Sequence, residues 1–144
     1  MSSKQYAGIS QEAYLAYLGD RKLMGSRCTF CGRISLPPRR ICPSCHSTGA
    51  EWVDLTGQEG TLSTYTCVHV APPRFVARGF SNTNPYAFGI VKLDAGASIA
   101  GFLVGVDATE PASIVIGARM RATFVEHETS QGTIQVDLGF EPVE

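Results

Sequence analysis

Four cysteines constrain this chain more than any other feature. Cys28-Thr-Phe-Cys31-Gly32 and Cys42-Pro43-Ser-Cys45 form two Cys-x-x-Cys pairs, with ten residues between Cys31 and Cys42. Such a pair lets two thiolates from one tight turn meet one metal ion, because backbone N–H groups of the turn point at the sulfurs. Two pairs complete a tetrahedral four-sulfur shell, the geometry zinc takes in structural sites. Gly32 and Pro43 supply a flexible and a pre-bent residue where such turns need them. Four soft ligands leave no position for water, so the expected centre is closed, structural and not catalytic. Disulfides are the alternative use of the same residues, disfavoured because nothing points to secretion. Spacing does not separate zinc from iron. His46, directly after Cys45, is poorly placed as a ligand and reads as a surface or neighbouring group.

At 144 residues and 44% hydrophobic, the chain is one ordinary domain or two small ones with a shared interface. No apolar run reaches the roughly 20 residues that span a bilayer, and Met1–Gln5 is not followed by the apolar core of a signal peptide. A cytoplasmic protein without a membrane partner is expected. The net charge of −1 hides an asymmetry: residues 1–50 balance at +5 and residues 51–144 at −6. This places a boundary near residue 50 and a positive surface on the first part, suited to nucleic acid, a nucleotide phosphate or an acidic partner. The expected organisation is a helical segment at 1–25, a zinc ribbon at 26–50 and a β domain at 51–144.

Ser10 is the expected N-cap of a short helix that ends at Gly19, with Glu12 in its first turn and Ala13, Tyr14, Tyr17 and Leu18 on one face. That aromatic face either packs on the chain's own ribbon or docks on a partner. Beyond Glu51 short alternating runs predict five strands, near 60–70, 86–94, 98–106, 118–128 and 133–140. Turns at Ala95-Gly96-Ala97 and Thr129–Gly132 join the second strand to the third and the fourth to the fifth. Five bent strands fit a small OB-type barrel, so the expected fold is mainly β: N-terminal helix, zinc ribbon, five-stranded barrel. Simple alternation puts Leu62, Thr64, Thr66, Val68 and Val70 on one face of the first strand, with Tyr65, Cys67 and His69 on the other. No third residue orients Cys67 and His69, and no catalytic dyad is assigned. The connection Ala71–Pro85 is unusually long for a small barrel and mixes cations, aromatics and asparagines.

In this order, the segments "LMGSRCTFCGRISLPPRRICPSCHS", "EWVDLTGQEGTLSTYTCVHVAPP", "NPYAFGIVKLDAGASIAGFLVG" and "IGARMRATFV" resemble a known family. Its members join a rubredoxin-like zinc ribbon to an acyl-CoA-associated OB-fold, and the likeness runs from about Tyr14 to Pro142. The resemblance implies an accessory subunit. Family members accompany thiolases, acetyl transferases and hydroxymethylglutaryl-CoA synthase-like enzymes; the resemblance leaves open a benzylsuccinyl-CoA thiolase, which suggests an aromatic-derived acyl-CoA, a sterol-degrading aldolase and an archaeal acetoacetyl-CoA thiolase complex. The expected partner is therefore a thiolase-like large subunit in a hetero-oligomer, with a coenzyme A thioester as shared ligand and Zn2+ as the chain's own metal. A thiolase needs two cysteines and histidines on a large α/β scaffold, whereas this chain has one spare cysteine, so no activity of its own is expected. Arg74, Arg78 and Lys92 are candidates for coenzyme A phosphates. Phe75, Phe80 and Tyr86 are candidates for an acyl or adenine contact. Tyr14, Tyr17, Arg33 and Arg39 are candidates for the partner surface. Two other functions use the same features: a nucleic-acid-binding ribbon–barrel protein, opposed by the acidic barrel half, and a stand-alone acyl-CoA-binding protein.

Overall fold

The structure is a computed structural model and describes residues 8–128 and 131–143. Helix α1 (Gln11–Gly19) starts where expected: Ser10 is extended, and its Oγ accepts a hydrogen bond from the Ala13 N–H at 3.0 Å. A serine cap of this kind stabilises a helix start by about 1 kcal/mol. Ala13, Tyr14, Tyr17 and Leu18 are buried, and the helix packs on strands of both ribbon and barrel.

The ribbon is a three-stranded antiparallel sheet of β1 (Met24–Cys28), β2 (Ile34–Ser35) and β3 (Ala50–Asp54), in the order β2-β1-β3. Strand β3 crosses the boundary expected at residue 50, because its full length pairs with β1, from Met24↔Asp54 to Cys28↔Ala50. The ribbon sheet thus ends at Asp54. Residues 55–58 connect it to the barrel and are tied at both ends. The Leu55 N–H donates to the Leu23 carbonyl at 2.7 Å, the Leu23 N–H to Thr56 Oγ1 at 3.0 Å, and the Ala122 N–H to the Gln58 carbonyl at 2.8 Å.

The expected five strands follow as β4 (Glu59–Val68), β5 (Tyr86–Leu93), β6 (Ser98–Leu103), β7 (Arg119–Glu128) and β8 (Ile134–Pro142), with the short helix α2 (Pro73–Val76) between β4 and β5. They close into a barrel in the order β4-β5-β6-β8-β7. β6 and β8 run parallel, and the other neighbours are antiparallel. This is the connectivity of an OB-fold. The β5–β6 turn at residues 95–97 is as expected. β7 and β8 pair as the expected hairpin, but residues 129 and 130 of its turn lie outside the described residues, as does the start of the N-terminal segment. Closure needs close approach at Gly101, where a Cβ would stand 3.0 Å from the ring of the fully buried Phe140.

The alternation expected for β4 fails after Leu62. A bulge between Leu62 and Thr64 inserts one unpaired residue, Ser63, into the ladder with β5, and an inserted residue exchanges the faces of everything beyond it. Leu62, Tyr65 and Cys67 therefore share the core side, while Thr64 and Thr66 are exposed. His69 and Val70 lie past the strand end in solvent.

A single apolar cluster runs through the whole molecule. Leu62, Val91, Leu93, Met120, Leu138 and Phe140 fill the barrel, and the same cluster continues through Leu55, Leu23 and Leu36 to Tyr14 and Leu18. Among the described residues no helix is long and apolar enough to cross a membrane.

Candidate metal centre and loop site

Both cysteine turns fold alike. In the first, the Gly32 N–H donates to the Cys28 carbonyl and the Cys28 N–H to the Arg33 carbonyl. In the second, the His46 N–H donates to the Cys42 carbonyl and the Cys42 N–H to the Ser47 carbonyl. Gly32 at φ +82° and His46 at φ +64° occupy equivalent left-handed positions. His46 is exposed and serves the turn through its backbone, in keeping with its reading as a surface group. The Phe30 and Cys31 N–H groups each donate to Cys28 Sγ at 3.4 Å, and the Ser44 N–H does the same for Cys42 Sγ.

All four Sγ atoms lie within 4.8 Å of one another, with Cys28 and Cys45 at 3.5 Å and Cys31 and Cys42 at 3.6 Å. These separations are far beyond a disulfide bond. They suit four sulfurs around one ion, each about 2.3 Å from zinc. The titration chemistry agrees. Backbone donation from Cys31, outweighing burial and joined by Phe30, draws the Cys28 thiol down to about 6, and the Cys45 and Ser44 amides likewise lower Cys42. At Cys45 the Ser47 amide pulls the pKa down, but burial and the three neighbouring sulfurs overrule it and hold the thiol at about 12. A divalent cation held here would favour the thiolate form of all four cysteines. The donor set fits Zn2+ as a closed structural ion.

The long connection forms the second site. α2 and the residues after it fold as a strap over the outside of the barrel, where Phe75, Phe80 and Tyr86 meet Phe102 and Phe88 from β6 and β5. Ring centroids are 5.0 Å apart for Phe75–Tyr86 and Phe80–Tyr86, 5.9 Å for Phe75–Phe102 and 5.3 Å for Phe88–Phe102. The Arg78 guanidinium lies over the rings of Phe75, Phe80 and Phe102 at 5.2–5.8 Å and reaches Asp137 Oδ2 at 3.5 Å. His127 Nδ1 approaches the same carboxylate oxygen at 3.2 Å without the alignment of a hydrogen bond. Arg74 stays exposed, 4.9 Å above Phe75.

Five of the six residues expected at a ligand site therefore come together: Arg74, Phe75, Arg78, Phe80 and Tyr86. Lys92 does not join them. It sits six residues along β5, roughly 20 Å away at the usual strand rise, beside Thr61 and Ser98. Phe102, Asp137 and His127 complete the cluster and were not anticipated. Asp137, an acid in the apolar–polar alternation of β8 between Val136 and Leu138, is the residue whose position carried a signal. Of the residues expected at a partner surface, Arg33 and Arg39 are exposed. Tyr14 and Tyr17 are each only 5% exposed, with Tyr17 packed edge-on against Trp52 at 5.0 Å. The aromatic face of α1 thus packs on the chain itself. Cys67 is half-buried beside the barrel core, and burial followed by Asp107 pushes its thiol up, so it is not an activated nucleophile.

A closed four-sulfur ribbon fused to a five-stranded barrel defines the class: a zinc-ribbon–OB protein. Residues 16–51 match the family model described as the ChsH2 rubredoxin-like zinc ribbon domain, and residues 52–125 match the ChsH2 C-terminal OB-fold domain. The chain belongs to this ChsH2 (DUF35) family. A DUF35 domain-containing scaffold protein of Methanocaldococcus jannaschii is 35% identical over 125 residues, covering 85% of this chain and 82% of that one. Its counterpart in Methanothermobacter thermautotrophicus is 32% identical over 123 residues, covering 83% and 86%. Among solved structures, a chain of an Ltp2-ChsH2(DUF35) aldolase superposes with a TM-score of 0.70 at 24% identity, covering 96% of this chain and 98% of that one. A DUF35 protein of unknown function from Sulfolobus solfataricus gives 0.60 at 20% identity, covering 92% and 84%. At those identities both speak for the fold.

Proposed function

We propose that this chain is a non-catalytic, zinc-stabilised scaffold subunit of a thiolase-type acyl-CoA enzyme complex in the cytoplasm. The observation that carries the reading is a metal centre sealed by four sulfurs in a chain whose relatives are named scaffold proteins. A fully ligated ion has no position for substrate, and the one spare thiol is held protonated against the core. A chain of the same fold belongs to an Ltp2-ChsH2 aldolase, which supports a role beside a larger enzyme. The ribbon is the docking element, with Arg33 and Arg39 at its surface and Tyr14 and Tyr17 holding α1 in place beneath. The strap is where a coenzyme A thioester would meet this chain. Arg78 is taken up by Asp137, so a phosphate would pair with Arg74, and the acyl group, an aromatic-derived one included, would lie against Phe75, Phe80 and Tyr86.

The test is co-expression with a thiolase encoded beside this chain. The expected outcome is a co-purifying hetero-oligomer whose thiolysis activity falls when this chain is left out. A monodisperse chain that neither binds nor activates any neighbouring acyl-CoA enzyme refutes the reading.

A further inference from the structure

Ribbon and barrel meet along a cleft of about 850 Å³ that borders the two cysteine turns and includes none of the strap residues. One wall is the ribbon from Cys31 to Pro37, together with Arg39. The other is the small-residue turn Ala95-Gly96-Ala97-Ser98.

Its charge is one-sided. From Arg21 to Ala50 the chain holds six basic residues and no acidic one. Arg27 is paired with Glu51 and Arg21 with Glu126, but Arg33 and Arg39 have no acidic partner among the described residues. Arg33 is fixed on the cleft wall by donation from Nη1 to Ser44 Oγ at 2.6 Å. The cleft also offers backbone. β2 is the outer strand of the ribbon sheet and pairs with β1 alone, so its other edge has no strand partner among the described residues. Ile34 and Ser35 of that strand line the cleft. An unpaired edge is a template for an added strand, whose main chain supplies affinity and whose side chains supply specificity. Across the cleft, alanine and glycine leave room for a polypeptide backbone.

We propose that this cleft seats an extended acidic segment of a partner protein, added beside β2 with its carboxylates on Arg33 and Arg39. The existence of a partner rests on the function proposed above, and the chemistry of the segment rests on the cleft. A small polyphosphate would use the two arginines but would leave the strand edge idle, and a nucleic acid would do the same.

The test uses the full, zinc-loaded chain and fluorescein-labelled deca-glutamate, followed by anisotropy at low and high salt. Saturable, salt-sensitive binding is expected, with amide exchange slowed at the outward-facing amide of β2. Arg33→Gln with Arg39→Gln is expected to weaken binding about tenfold, the size of two partly screened charge pairs. Unchanged affinity in the double variant overturns the proposal, as does unaltered exchange in β2. Displacement of the peptide by ATP or a single-stranded oligonucleotide at lower concentration also overturns it, by marking a phosphate site. Zinc content is measured alongside: loss of zinc in the double variant would show that the arginines offset the charge of the zinc–thiolate cluster instead. Failure here with a thiolase still co-purifying leaves the scaffold reading standing; peptide binding by a chain that assembles with no thiolase leaves the cleft standing and removes that reading.

Discussion

Replacing Gly60 by alanine tests how tightly the barrel is closed. Gly60 stands in β4 opposite Leu93 of β5 and Met120 of β7, at the seam where the sheet meets itself. A Cβ there would press into the Lys92 carbonyl oxygen and would lie 2.8 Å from Leu93 Cα and 2.9 Å from the Lys92 carbonyl carbon. All three are backbone atoms, so no side chain can rotate away. Non-bonded carbons rest near 3.5 Å, so β4 and β5 must part by more than about 0.5 Å. Overpacking of this kind costs about 1–3 kcal/mol, and each ladder bond weakened by the separation adds up to about 1 kcal/mol. With two flanking bonds affected, the expected loss is about 3–4 kcal/mol, or roughly 10 °C in Tm for a chain of this size. Urea unfolding of the zinc-loaded protein, followed by far-UV circular dichroism and Trp52 fluorescence, measures it. Gly19→Ala is the control, since nothing lies within 4 Å of its Cβ, and it is expected within about 0.5 kcal/mol of the parent. A Gly60→Ala protein equally close to the parent would refute the steric argument.

Cys42→Ser removes one of four ligands and is expected to abolish stoichiometric zinc binding, read by metal analysis. Because Leu23 and Leu36 of the ribbon belong to the barrel's own cluster, barrel unfolding should also move to lower urea. Arg78→Ala removes the cation from three ring faces and leaves Asp137 without it. About 1–3 kcal/mol of strap anchoring should be lost, read as faster limited proteolysis within residues 71–85. The pH dependence has a defined sign at Asp94. Hydrogen bonds from Arg119 hold its carboxyl below the usual value of 3.8, so the folded state binds its proton less readily than the unfolded one. The pair's stabilisation is complete above that usual value and is lost as pH falls through the lower folded value. Asp94→Asn should therefore flatten stability in the acid limb and leave the slope near pH 7 unchanged, measured by urea titrations across pH.

Much of this was legible in the sequence, for local reasons. The two cysteine turns, the Ser10 cap and the five strands each rest on spacing within about ten residues, and each appears where the spacing put it. What escaped reading was set by tertiary pairing. β2 is two residues long, and β1 and β3 carry no clean alternation (burial runs buried–buried–exposed–buried along Gly25–Cys28), so only their mutual pairing makes them strands. The bulge at Ser63 exchanges the faces of Thr64 to Val68 through a single inserted residue that no composition rule marks. Tyr14 and Tyr17 show the same limit: helical spacing gave their common face, but not what covers it. The strap cluster was half visible, because Arg74 to Tyr86 are near in sequence, while Phe102, His127 and Asp137 arrive from strands that only barrel closure brings alongside.

Residues 55–58 make the molecule a bracket. Leu55 is buried, and hydrogen bonds tie the connection to the ribbon at Leu23 and to the barrel at Ala122, so no swivel lies between the two halves. A protein that grips the ribbon alone still fixes the bearing of the barrel. The bearing of the aromatic strap on the barrel is thereby referred to the ribbon sheet through the shared apolar cluster and these hydrogen bonds.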